Sequence, residues 1–282
     1  MRNQPLYILT EDLNFFYLLK RALDKYKIHF QILNLDSKIP DIPSIILTTS
    51  NEYRKRGDKN RAICLVYSKN IDFDKYFLHV IAAVRIGYKE YYSTLTFSID
   101  PGKKLGLMVF LDDYYLDSYC CFEKRNFFAI IQKFIDTFEE DTTTLMKLNF
   151  KLGRGVLDIT YNLVKQIYFM FRNRNDLGVC LIDEFKSSQF RLSRDIVGKK
   201  YTKDEISALI LAFRSGIDVR FDNYEDIFEQ IRMKKKFIGK TETEKSENQD
   251  EPLLSLKDVV EKVLTGKITL SNAIEIINSN KV

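Results

Sequence analysis

The amino-acid sequence predicts an α/β protein in three parts: a small parallel-sheet domain, a larger mixed-sheet domain and a helical tail. Three observations carry this reading. Apolar strand-like runs alternate with helix-period segments up to residue 90. From residue 91 three strand-like runs follow one another closely, and helices and strands then alternate. After a polar, Pro-terminated stretch, helical periodicity returns at residue 253. With 282 residues, 45% of them hydrophobic, the chain is long enough to bury more than one core.

In residues 1–90, "LYILT" and "FQILNL" flank "EDLNFFYLLKRALDKYK", where Leu13, Phe16, Leu19, Leu23 and Tyr26 recur at helical spacing. "SIILTTS" and "AICLVYS" read as short buried strands, and "FDKYFLHVIAAVRIG" as a helix closed by Gly87. This is βαβ patterning, the mark of a Rossmann-like parallel sheet. It contains neither GxGxxG nor a P-loop. Glu11, Asp12 and Thr48 to Ser50 fall at the carboxyl ends of the strands, where they could form a site but read first as helix caps and turn residues of an interaction or scaffold domain.

In residues 91–238, "STLTFSID", "GLMVFLDD" and "LDSYCCFE" read as an antiparallel meander, turned once at a glycine and once at the polar tip "DDYYLD". The helix "FFAIIQKFIDTFEED", the strand "TLMKLNFKLG", the helix "VLDITYNLVKQIYFMFRNR", the strand "GVCLIDEF" and the helix "TKDEISALILAFRSG" complete the order βββαβαβα. A charged helix ends in "RMKKKF". Residues 239–252 are polar and read as a flexible linker, and residues 253–282 as a helical hairpin with Ser255 and Thr269 or Ser271 as N-caps. The hairpin's apolar face (Val259, Val263, Leu264, Ile268, Leu270, Ile274 and Ile277) is too small to stand alone, so it should dock on a protein partner, on a second copy as a homodimer, or on the body of the chain.

Composition narrows the classes further. Lys and Arg number 44 against 39 Asp and Glu, a formal charge of +5 that suits a polyanionic partner without coating one. Cys64, Cys120, Cys121 and Cys180 give neither a disulfide framework nor a CxxC metal spacing, and read as reduced core residues. No run approaches eighteen apolar residues and the first residues lack a secretory signal pattern, so the expectation is a cytoplasmic protein with no membrane partner.

The chemistry gathers on carboxylates. Asp100 ends an apolar strand and is followed at once by Pro-Gly; Asp183 and Glu184 end the strand "GVCLIDEF", where alternation lets only one of them face a shared site; Asp204 lies on the first turn of "KDEISALILAFRSG". Hard divalent cations take oxygen ligands, and acids at strand ends and on one helix face supply them. Taken singly, each is also an ordinary turn, strand-end or helix-start residue.

At these residues the chain resembles a known family. "SIDPGKKLGLMVF" is similar to the first-strand signature of the RuvC-like and YqgF-type branch of the RNase H superfamily, "IDEFKSSQ" to its Asp-Glu-Arg-(Leu/Phe)-(Thr/Ser)-(Thr/Ser) motif, and "KDEISALILAFRSG" to its Val-Asp-x-x-Ala-Ala-x-x-Ile-Leu helix. The resemblance covers about 120 residues in the right order. It implies an RNase H-like fold for residues 91–238, metal ligands at Asp100, Glu184 and Asp204 with Asp183 as the neighbouring acid, Mg²⁺ or Mn²⁺ as cofactor, and endonuclease activity on branched DNA, as in recombination and repair, or on precursor RNA. Phe185 stands in place of the usual arginine, Ser207 where RuvC-type resolvases carry a further aspartate, and "LMKLNFKLGRG" holds no acid. These departures bring the chain nearer the YqgF type. They also keep a second function in view, an RNase H-fold nucleic-acid-binding or assembly protein with weak or no catalysis.

Lys151, Arg154, Lys186, Arg191, Arg194, Lys199 and Lys200 cluster in sequence around these motifs and are the candidates for phosphate contact. "KLGRG" is too short to read as a phosphate-cradling loop on its own. An actin-like ATPase also opens with an Asp-glycine turn, but it needs a second phosphate loop and a duplicated domain, which this sequence lacks.

Overall fold

The computed structural model describes residues 4–56, 61–139, 145–184, 195–196, 199–238 and 253–279; the linker expected at 239–252 lies outside them. The protein is α/β and divides into two compact units. The smaller holds residues 1–92, 132–143 and 195–200, the larger residues 93–131, 144–194 and 201–282.

In the smaller unit the strands β1 (Leu6–Ile8), β2 (Gln31–Ile32), β3 (Ile45–Thr49) and β4 (Ile63–Tyr67) form a parallel sheet in the order β2-β1-β3-β4. Helix α1 (Leu13–Lys25) starts where Asp12 accepts the amide N–H groups of Asn14 and Phe15 at 3.0 and 3.1 Å. Its buried stripe is Phe15, Leu19 and Leu23, not the Leu13 and Phe16 expected from spacing. With Asp12 as the cap, Leu13 is the first helical residue and points outward, 80% exposed, while Phe15 stacks on Tyr67 with ring centroids 4.8 Å apart. Helix α3 (Phe73–Arg85) is capped by Asp72 and ends at Gly87, whose φ of 95° is the left-handed turn that favours glycine.

A short helix, α2 (Ser50–Arg56), was not legible in the sequence, and its Glu52 is only 6% exposed. The carboxylate sits between the carboxyl ends of β1 and β3, where the strand order reverses. It accepts the Thr10 hydroxyl (2.8 Å), the amides of Glu11, Asp12 and Thr49, and the Thr49 hydroxyl (2.7 Å). Burial pushes the Glu52 carboxyl up, but these hydrogen bonds outweigh it and hold it below the ordinary value. The strand-end residues Glu11, Thr48 and Thr49 are thus spent on an internal carboxylate, and Asp12 on a helix cap.

The larger unit contains β5 (Thr94–Pro101), β6 (Leu105–Leu111), β7 (Tyr114–Cys121), helix α4 (Lys124–Glu139), β8 (Lys147–Gly153), α5 (Leu157–Met170), β9 (Leu177–Ile182), α6 (Lys203–Ala212), β10 (Gly216–Val219), α7 (Tyr224–Ile238) and the tail helices α8 (Leu253–Leu264) and α9 (Leu270–Ser279); α4 belongs to it up to Ile131 and to the smaller unit from Gln132. The sheet order is β10-β9-β8-β5-β6-β7. β5 pairs antiparallel with β6 and parallel with β8, β8 pairs parallel with β9, and β6 pairs antiparallel with β7. Strand β10, antiparallel to β9, was not expected: "GIDV" is too short and polar to announce a strand.

Two-residue alternation divides this sheet chemically. Leu95, Phe97 and Ile99 of β5 and Leu148, Phe150 and Leu152 of β8 make one buried apolar face, on which Phe97, Phe150 and Phe171 stack in series. The other face carries Thr96, Ser98 and Asp100, Asn149 and Lys151, and Ser118 and Cys120. Helix α6 lies across it, with the Ser98 hydroxyl donating to the Ala208 carbonyl at 2.7 Å.

The tail docks on the body of the chain. Val259, Val260, Val263, Leu264, Leu270 and Ala273 are buried, and α8 packs against β7, an edge strand that would otherwise be open to pairing. At the β6–β7 tip Asp112 and Asp113 adopt left-handed φ values of 46° and 68°. The Asp113 carbonyl accepts the Leu270 amide at 2.8 Å and its carboxylate accepts the Ser271 hydroxyl, which ties down the start of α9. Thr269 accepts the Asn272 amide and caps α9, whereas Ser255 lies inside α8.

Candidate functional site

Asp100 stands at the carboxyl end of β5 on the polar face, directly opposite Gly106 of β6, which in turn pairs with Cys120 of β7. Gly106, the second glycine of "DPGKKLG", has a clear purpose: a Cβ there would lie 2.1 Å from the carbonyl oxygen of Asp204. The start of α6 therefore rests on bare backbone, and that contact brings Asp204 to Asp100.

A capping box fixes this helix end. Thr202 accepts the Glu205 amide, and the Glu205 carboxylate accepts the Thr202 amide at 2.8 Å. The buried Glu205 also accepts the Ser118 hydroxyl at 2.8 Å, and Ser118 meets the Tyr115 hydroxyl at 3.1 Å, so the cap is bolted to β7. On the same turn, Ser207 is buried and hydrogen-bonds Asp100. The Cys120 thiol donates weakly to Asp204 at 3.6 Å.

Glu184 arrives from the end of β9. Added Cβ atoms at Gly153 and Gly155 would fall 2.2 and 2.1 Å from its carboxylate oxygens, and the Gly155 amide donates to it at 2.7 Å. The glycines of "KLGRG" are therefore a cradle for a carboxylate. Asp183 turns the other way, is exposed, and pairs with Arg154, while its carbonyl accepts Arg214 at 2.8 Å.

These placements have an electrostatic consequence. The Asp100 carboxyl is pushed up from 3.8 to about 7, first by burial and then by the negative charges of Glu184 and Asp204; the Ser207 hydrogen bond and the Lys203 ammonium offset part of this. Three acids from three distant segments share one field at the carboxyl ends of parallel strands. Among the described residues no three His, Cys, Asp or Glu side chains are drawn close enough together to hold a metal ion at ligand distance.

The basic candidates separate. The Lys151 ammonium donates to the Ala212 carbonyl at the end of α6, and burial lowers its pKa. Arg154 is engaged with Asp183. Lys199, bridged to Ile196, and Lys200 belong to the smaller unit, and Lys186, Arg191 and Arg194 lie outside the described residues. The sequence reading missed Gly106, Gly153 and Gly155 as the makers of the site. Their signal was the recurrence of glycine at the ends of strands that already carried the motifs.

No family model matches the chain, and no curated protein matches it in sequence. No helix among the described residues is long and apolar enough to cross a membrane, and none of the four cysteines forms a disulfide.

Proposed function

We propose that the chain is a divalent-metal-dependent endonuclease of the RNase H-like superfamily, acting on structured nucleic acid. The observation that carries this reading is the convergence of Asp100, Glu184 and Asp204 from three segments, where burial first and the two neighbouring carboxylates second push the Asp100 carboxyl up to about 7. The sheet order β10-β9-β8-β5-β6-β7, with its antiparallel meander at one side and α6 laid over the polar face, supports it as the arrangement the motif resemblance implies.

The donor set suits Mg²⁺ or Mn²⁺: three carboxylates, hard oxygen ligands whose mutual repulsion a cation relieves. Asp100, Glu184 and Asp204 would hold it, and when bound it supplies Lewis-acid polarisation of a scissile phosphate and an acidified water. The protein's own contributions are more specific. Ser207 orients Asp100 and stabilises its ionised form. The Gly153 to Gly155 cradle fixes the Glu184 carboxylate near enough to act electrostatically on Asp100, and Lys203 places a positive charge beside Asp100 for an incoming phosphate.

The test is cleavage of labelled four-way junctions, flaps, duplexes and structured RNA in Mn²⁺ by the wild type and by Asp100→Asn. Cutting confined to one polymer and lost in the variant supports the reading; equal signal from both proteins removes it. A non-catalytic nucleic-acid-binding or assembly role is the second reading, favoured by the serine at 207 in place of an acid. It predicts binding without Mn²⁺-dependent products.

A further inference from the structure

We infer that Phe122 is a stacking platform for an unpaired nucleotide beside the carboxylate cluster, with Lys103 and Lys104 on one side and Lys124 and Arg125 on the other to hold the flanking phosphates. This rests on the nucleic-acid reading above and names the form of substrate the site takes.

Phe122 is 73% exposed at the end of β7, where burial of such a ring is the rule, and nothing in the register requires an aromatic there. Its place is defined by the strands. Asp100, Gly106 and Cys120 are consecutive cross-strand partners, so the Cα atoms of Asp100 and Cys120 are about 10 Å apart, two strand spacings. Phe122 lies just past the end of β7, two residues after Cys120, and its ring meets Lys104 of the turn that follows Asp100. The ring therefore lies at the same end of the sheet as Asp100.

The surroundings are complementary to nucleic acid. The Lys104 ammonium lies over the ring, 4.6 Å from its centroid. Lys104 belongs to the turn that leaves Asp100, and Lys124 and Arg125 open α4 immediately after the ring; Lys103, Lys104, Lys124 and Arg125 are all exposed. An aromatic face flanked by cations, beside acids at the metal-binding end of a sheet, is the combination that grips splayed bases without reading their identity. The paired bases of a duplex cannot present a face to it. The preferred substrate is accordingly one with an unpaired base at the cut: the branch point of a junction or flap, or an RNA loop.

The experiment measures binding and cleavage separately. Fluorescence anisotropy of a labelled single-stranded oligonucleotide and of a blunt duplex is recorded without divalent metal for wild type, Phe122→Ala, Phe122→Trp and Lys104→Gln. Because the ring is exposed, melting curves of the variants should match the wild type. Phe122→Ala is expected to weaken single-strand binding by about 5- to 100-fold while leaving duplex binding within about twofold, and Phe122→Trp to restore it. Lys104→Gln should lower the salt dependence of single-strand binding by about 0.7 in slope. Unchanged single-strand affinity in Phe122→Ala overturns the platform, as does loss of self-association with oligonucleotide binding intact, which would assign the ring to protein contact. Phe122-dependent binding in a protein that never cuts would keep the platform and remove the nuclease; cutting that ignores Phe122 would do the reverse.

Discussion

Substituting Asp100 by Asn should change the pH profile of stability in a direction that reports the burial of this carboxyl beside two other acids. In the metal-free protein Asp100 titrates near 7, against 3.8 for a free side chain. A carboxyl whose folded value is raised holds its proton more tightly when folded. Its favourable effect is complete below pH 3.8 and is lost as the pH rises through 7. At 1.36 kcal/mol per pH unit the full loss is about 4 kcal/mol, and about 2 kcal/mol is the floor once water reaching the partly accessible carboxylate is allowed for. Asn, neutral at every pH and nearly the same shape, escapes the loss. Wild type and variant should therefore have similar stability near pH 4, and the variant should be about 2–4 kcal/mol more stable at pH 8, or roughly 4–16 °C in melting temperature. Thermal unfolding in EDTA at pH 4, 5, 6, 7 and 8 reads this directly. Parallel curves for the two proteins across that range would mean that Asp100 ionises freely, and neither burial nor the neighbouring acids would be raising its carboxyl.

Three further outcomes follow from the packing. Gly106→Ala drives a methyl into the Asp204 backbone, so α6 should lift by about 1 Å at a cost of about 1–3 kcal/mol, and the Asp100 titration followed by carboxyl-carbon NMR should fall towards the ordinary range. Glu52→Gln removes an acceptor that serves Thr10, Thr49 and three backbone amides, and should cost the smaller unit about 2–4 kcal/mol at neutral pH; because the Glu52 carboxyl is held low, the difference should shrink on acidification through 4.5, as urea unfolding at pH 7 and pH 3.5 would show. Leu264→Ala, at a buried position in α8, should cost about 2–5 kcal/mol and raise amide hydrogen exchange along β7 if the tail remains docked on that edge in solution.

What the sequence revealed and what it hid divide along physical lines. "STLTFSID" and "TLMKLNFKLG" could be read as strands β5 and β8, because period two is a property of the backbone itself; that their alternate residues make one polar face covered by α6 emerged only in the structure. The order of the larger sheet's strands up to α6 was readable for the same reason. Strand β10 was not, since four residues with one apolar contact carry no period. The stripe of α1 was misplaced because the position of the Asp12 cap, a local hydrogen-bonding choice, sets the rotation of the whole helix. At the site, Asp100, Glu184 and Asp204 were named through the motif resemblance, while strand alternation alone left Asp183 or Glu184 open; the structure turns Glu184 onto Gly153 and Gly155, some thirty residues away, and engages Asp183 with Arg154 and Arg214. Lys151 looked like a phosphate ligand because a lysine in a polar-face position is exposed on most sheets; here α6 covers that face and the ammonium serves the helix's last carbonyls.

The most direct measurement of the central claim is a Mn²⁺ titration at pH 7.5 followed by electron paramagnetic resonance of the free ion, for the wild type, Asp100→Asn, Glu184→Gln and Asp204→Asn. If the three carboxylates form one cation site, the wild type should bind Mn²⁺ at pH 7.5 with release of about a quarter of a proton, affinity should fall as the pH drops through 7, and each single substitution should weaken binding by at least tenfold. Binding that is indifferent to all three substitutions, or absent from the wild type up to millimolar Mn²⁺, would contradict the account.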